Sequence, residues 1–148
     1  MTELPALPVT FRPGRTRAVL ITVGVAVCAV LTVIALTLPA VSAGERLSFV
    51  VTGLLFLGVL LLLSRPHATA DEQGVTVVNL TTKRRLEWAE VLHVHLRQGD
   101  PWVSLDLADG TSLPVMGIQP GIAKERAVAD AKALRALAEH RGTGETVR

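Results

Sequence analysis

The sequence predicts an α+β chain: an N-terminal two-helix transmembrane hairpin, then a small antiparallel β-sandwich or open barrel, then a C-terminal α-helix capping it. Three observations carry this. Ala18 to Gly44 and Leu47 to Ser64 form two apolar runs without a charged side chain, interrupted only by Glu45 and Arg46. Beyond Arg65 the pattern switches to short alternating segments separated by turn residues. From Ile122 it switches again, to small apolar residues at helical spacing.

A bilayer core of roughly 30 Å takes about 20 apolar helical residues to cross. Ala18 to Pro39 meets that length; its hydroxyl residues, Thr22, Thr32 and Thr37, can return hydrogen bonds to their own helix. Pro39 marks a stop, Ala40 to Arg46 reads as a tight turn, and Leu47 to Ser64 supplies a second, leucine-rich span. Soluble core helices would carry a polar face, and neither run has one. Val41-Ser42-Ala43 resembles a small-residue cleavage site, but the first run is much longer than the apolar region of a signal peptide, which favours an uncleaved anchor. Arg12, Arg15 and Arg17 precede the hairpin, and Arg65 follows it, with Lys83, Arg84 and Arg85 further on. The turn carries one Arg offset by one Glu, so the positive-inside bias puts both termini in the cytoplasm. Residues 1–17, with Pro5 and Pro8 and no periodicity, read as a disordered cytoplasmic tail, and residues 18–64 as the hairpin.

Charge narrows the function classes. From Arg65 to Arg148 eleven Lys and Arg face eleven Asp and Glu, so the net +2 arises in the N-terminal part. An electrically balanced domain lacks the basic footprint of a nucleic-acid binder. Cys28, the one cysteine, lies in the first span, where it reads as an apolar packing residue; intrachain disulfides are excluded and thiolate metal clusters are not expected.

In the C-terminal part, His67 to Ala70 and Val75 to Leu80 read as strands joined by the turn Asp71-Glu72-Gln73-Gly74. Lys83 to Trp88 follows. Val91 to Arg97 alternates, with Leu92, Val94 and Leu96 expected inward and His93, His95 and Arg97 outward. Trp102 to Leu107 places Val103, Leu105 and Leu107 opposite Ser104 and Asp106, and Asp109-Gly110 is a strong hairpin signal leading to Thr111 to Met116. Ile122 to His140 is helical by pattern, with Ala127, Ala131, Leu134 and Ala138 on one stripe; Pro120 suits its start and Gly142 its stop. This assigns residues 65–141 to the folded domain and 142–148 to a second disordered tail.

The segments Arg85-Leu86-Glu87-Trp88-Ala89-Glu90-Val91, Trp102 to Thr111 and Leu113-Pro114-Val115-Met116, placed after two spans and before a terminal helix, resemble the bacterial PH-domain family. The resemblance covers about residues 67–140 and is nearest to actinobacterial membrane proteins of the low molecular weight protein antigen 6 type. It implies a PH-like fold, a bent seven-stranded sheet closed at one end by the helix, in a protein of the bacterial inner membrane. It brings no catalytic residues. PH domains that bind inositol phosphates gather basic residues around their first hairpin loop. Taken as that loop, Asp71 to Gly74 is acidic, which does not support such binding.

Candidate site residues are few. Lys83, Arg84 and Arg85 form the domain's basic cluster and could meet anionic lipid headgroups, at about 1 kcal/mol per basic residue. Trp102, beside Pro101, is a candidate partner contact. His93 and His95 have the spacing of a metal-ligand pair but lack further ligands, and Glu87 and Glu90 have no companion nucleophile. No catalytic, cofactor or metal residues are therefore assigned. The expected function is a non-enzymatic, membrane-anchored PH-like binding or adaptor module on the cytoplasmic face, with the bilayer and an unidentified protein as partners. The alternatives are anionic-lipid binding through Lys83 to Arg85, or an accessory subunit of a larger membrane complex held through its helices. Gly53 and Gly58 could permit close helix approach in that second case.

Overall fold

A computed structural model describes residues 3–142 and separates into two units, one of residues 14–65 and one formed by residues up to Pro13 together with those from Pro66 onward. The predicted tail at 143–148 lies outside the described residues.

The first unit is a helical hairpin of α1 (Gly14–Thr37) and α2 (Ala43–Leu63). At 1.5 Å per residue the helices are about 36 and 32 Å long, enough to cross a bilayer core. Leu36 is 72 % exposed, Leu55 67 % and Leu47 64 %, whereas a soluble core helix would cover such side chains. Both helices start earlier than their apolar runs. Arg15 and Arg17 belong to α1 itself. The Ser42 hydroxyl accepts from the Glu45 N–H at 3.3 Å, and the Glu45 carboxylate accepts from the Ser42 N–H at 2.8 Å. This reciprocal cap starts α2 at Ala43, so Glu45 and Arg46, expected in the turn, form its first turn. Arg46 then folds back on the end of α1, donating to the carbonyls of Ala35, Leu38 and Val41. It thereby gives a partner to the Ala35 carbonyl in the last turn of α1 and ties down the turn through Leu38 and Val41. Thr32 and Thr37 return their hydroxyls to the carbonyls of Cys28 and Val33, each at 2.8 Å, as expected. The helices approach at Gly53, where an added Cβ would stand 3.2 Å from Cys28 Cα; at Gly58 it would meet nothing within 4 Å. Gly24 makes a second close approach, against Leu57.

Among the described residues the second unit has seven strands in two antiparallel sheets. The first has the order β1 (Val9–Phe11), β2 (His67–Ala70), β3 (Gly74–Val78), β4 (Lys83–Glu87); the second has β5 (Val91–His95), β6 (Val103–Leu107), β7 (Ser112–Val115). The sheets do not close into a barrel. A 3₁₀ turn at Trp88–Glu90 carries the chain from one to the other, and α3 (Lys124–Gly142) packs on that turn and on β5. Side chains alternate as a half-buried strand requires: in β6, Val103, Leu105 and Leu107 are buried while Ser104 and Asp106 are partly exposed. From α3, Ala127, Leu134, Leu137 and Ala138 enter the core, and Ala131 packs against it. Buried Asn79 links the sheets, donating to the Pro114 carbonyl at 2.9 Å and accepting from the Met116 N–H at 3.1 Å.

Two readings of the sequence are corrected here. Residues 9–11, placed in a disordered tail, are strand β1; Phe11 pairs with Ala68 and is buried in the core. β1 is too short to show periodicity, and its partner lies beyond the whole helical hairpin. The connection between the first two strands is therefore α1 and α2 themselves, and the Asp71 to Gly74 turn is the second connection of the sheet, not the first. The other correction concerns β5. A register shift between Val91 and His93 adds a residue to the strand, which leaves Leu92 57 % exposed instead of inward. Gly74 is required at the start of β3, since a Cβ there would stand 1.9 Å from the Leu86 carbonyl oxygen.

Candidate partner-binding surface

The basic cluster falls on β4, an edge strand, with Lys83, Arg84 and Arg85 all exposed. Arg85 is committed to Asp71: its Nη2 donates to Oδ1 at 2.8 Å and its Nη1 to Oδ2 at 2.5 Å, with the Thr76 hydroxyl 3.1 Å from Nη1. This bidentate contact holds the Asp71 carboxyl at a pKa of about 2; burial opposes the shift, and the N–H groups of Gln73 and Gly74 add to it. The Asp71 carbonyl accepts from the Trp88 indole at 3.0 Å, so the turn is tied to the core as well. Arg84 lies 3.6 Å from Asp109. The Asp109 carboxyl is itself held below the usual carboxylate range, first by the Thr111 hydroxyl and N–H.

Trp102, half-buried, precedes β6, while Asp109 lies past its other end, so about 16 Å of strand separates it from the Arg84 contact. The structure thus does not bring Trp102 together with the basic cluster. Glu87 and Glu90 cap the 3₁₀ turn, with the Glu87 N–H donating to Glu90 Oε2 at 2.7 Å. His93 is exposed, and His95 Nδ1 lies 3.5 Å from Asp106 Oδ2. Among the described residues no group of three or more His, Cys, Asp or Glu is placed to hold a metal ion.

Sequence reading missed a groove between β5 and α3. It contains two adjoining cavities of about 320 and 300 Å³. The strand side is formed by the consecutive residues Val94, His95, Leu96 and Arg97 and continues through Gln98, Gly99 and Asp100. Of these, Val94 and His95 close β5 and the rest follow it, so the depression lies beside the end of the strand and the segment that leaves it. The helix side is a stripe of Lys124, Val128, Ala131, Lys132 and Arg135. Its floor is apolar and its rim basic. The spacing of 124, 128, 132 and 135 was readable as one face of a helix; which strand that face would meet was not.

Comparison with known proteins accords with this architecture. A family model described as bacterial PH domain matches residues 65–137, a segment that begins after β1 and the helices. The uncharacterized protein Rv1417 of Mycobacterium tuberculosis and the uncharacterized protein Mb1452 of Mycobacterium bovis are each 40 % identical over 85 residues, 57 % of this chain and 54 % of theirs. The match thus spans about half the length of these curated relatives. No solved structure matches the chain significantly.

Proposed function

Residues 65–137 belong to the bacterial PH-domain family, and on that premise we propose that the protein is a membrane-anchored, non-enzymatic binding module that engages another protein. The helical hairpin is the anchor. Arg12, Arg15 and Arg17 before the hairpin and Arg65 after it support a topology with both termini, and with them the PH-like domain, in the cytoplasm. The observation that carries the reading is the open groove between α3 and the end of β5, a concave surface with an apolar floor and a few polar groups at its rim.

Photocrosslinking of the full-length protein in native membranes tests this, with the reactive residue placed in turn at Gln98, Lys83 and Leu55. Protein adducts from Gln98 are expected. Protein adducts from Leu55 alone would instead support an accessory subunit held through its helices, and lipid adducts from Lys83 alone a headgroup-binding role. For orientation, a cysteine at Gln98 is expected to react with a membrane-impermeant maleimide only when the cytoplasmic face is opened. Labelling of intact cells would overturn the topology.

A further inference from the structure

The domain from Arg65 onward is neutral, yet its charges are sorted. Arg97, Lys124, Lys132 and Arg135 line the groove. Two carboxylates stand against them: Asp100, which accepts from the Arg97 N–H at 2.9 Å, and Glu139, 3.7 Å from Arg135. Among the described residues the side chains of Arg97, Lys124 and Lys132 enter no ion pair. The opposite sign gathers where the turn between β2 and β3 adjoins the 3₁₀ turn. There Glu87 faces Gly74 across the ladder, and the Trp88 N–H donates to the Gln73 carbonyl at 3.4 Å. Glu72, Glu87 and Glu90 stand at this end against Arg141, which donates to the Glu72 carbonyl at 3.2 Å; Asp71 and Arg85 cancel each other. Ala89 and Leu92, both exposed, flank Glu90 along the chain.

The two patches lie at opposite ends of the α3–β5 pair. Gly142, which closes α3, sits against the start of β5: a Cβ there would stand 3.1 Å from the Trp88 carbonyl oxygen and 3.8 Å from that of Val91. Val128 to Arg135 lie instead beside the residues that end the strand. From Lys132 to Arg141 the helix rises about 14 Å, well beyond the roughly 8 Å over which exposed charges act at physiological ionic strength. The acidic end therefore leaves the groove of its own molecule uncompensated. We propose that the groove takes the acidic end of a second copy of this chain, so that the domains associate head to tail. The inference rests on the reading of the groove as a protein-binding surface and names what fills it. Glu72 of one copy pairs with Lys132 of the next, and Leu92 meets the floor of Val94, Leu96, Val128 and Ala131. The turn that carries Glu72 is rigid before it docks. Asp71 accepts from the N–H groups of Gln73 and Gly74 at 2.9 and 3.0 Å, and its carbonyl from the Trp88 indole, so little conformational freedom is lost. Because the two surfaces differ, a pair still offers one of each, and association runs on past the dimer.

The test uses the full-length protein in phosphatidylcholine proteoliposomes and a carbodiimide, which joins a carboxylate to an amine in direct contact. The chain's lysines are Lys83, Lys124 and Lys132, so Lys83 on β4 serves as the internal control. A ladder of dimers, trimers and larger species is expected, with Glu72 joined to Lys132 in peptide mapping. Lys132→Glu and Glu72→Lys should each reduce the ladder on the order of tenfold, and the double reversal, which restores opposite signs, should bring it back. Both side chains are exposed, so all three variants should melt with the parent. Monomers only, dimers without larger species, linkage through Lys83 alone, a ladder unchanged by Lys132→Glu, or a double variant as weak as the single ones would each overturn the proposal. If the protein stays monomeric while Gln98 still crosslinks to a different protein in native membranes, the second copy falls as occupant and the binding-module reading stands. No protein adduct at Gln98 in either setting would remove both.

Discussion

Arg85 and Asp71 face each other across the first sheet, fourteen residues apart in sequence, joined by two parallel N–H···O contacts. The carboxylate that receives them also accepts the N–H groups of Gln73 and Gly74, so one side chain shapes the turn and anchors the outer strand.

That arrangement has a pH signature. The Asp71 carboxyl is lowered in the folded state from 3.8 to about 2, so its contribution to stability is fully present above pH 4 and lost as pH falls towards 2. Both side chains are over a third exposed, so salt should reduce the effect. In acid titrations followed by circular dichroism, Asp71→Asn should remove this part of the pH dependence.

Phe11 supplies a prediction about the domain's limits. Phe11→Ala should lower stability by about 3 kcal/mol or more, the usual cost of emptying a phenylalanine site. A fragment of residues 66–142 should melt below the same fragment with residues 3–13 rejoined through a flexible linker. Equal melting temperatures would show that β1 contributes nothing.

Asn79 spans the two sheets with one donated and one accepted bond. Asn79→Ala should leave the Met116 N–H and the Pro114 carbonyl without this partner, at a cost of about 2 kcal/mol in urea denaturation.

In the hairpin, Gly53→Val should force the helices apart, because its first added carbon already crowds Cys28 Cα. Gly58→Val should be tolerated, since nothing lies within 4 Å. Cysteine crosslinking between α1 and α2 in membranes would register the difference.

Where local chemistry decided the outcome, the sequence was readable. The apolar runs, the alternation in β6, the Asp109-Gly110 turn and the buried stripe of α3 all formed as expected. The Ser42–Glu45 cap was equally visible but was overshadowed by the two charges inside the supposed turn. What escaped required knowing a distant partner. β1 needs β2 to be a strand at all, Leu92 turns outward because β6 is one residue short of it, and the groove exists only where α3 lies beside β5. Of the predicted site residues, Arg84 and Arg85 proved to be paired with carboxylates across strands, a relationship that spacing along the chain does not reveal.

The order of β1, α1, α2 and β2 also sets an order of events during synthesis. β1 leaves the ribosome before either apolar helix exists, yet the strand that completes it follows both of them. At roughly 5–20 residues per second, Phe11 waits several seconds for Ala68. Its ring has no core to enter until the residues beyond the hairpin have been made. The four-stranded sheet is therefore completed only after the whole hairpin that separates its first two strands has been synthesised.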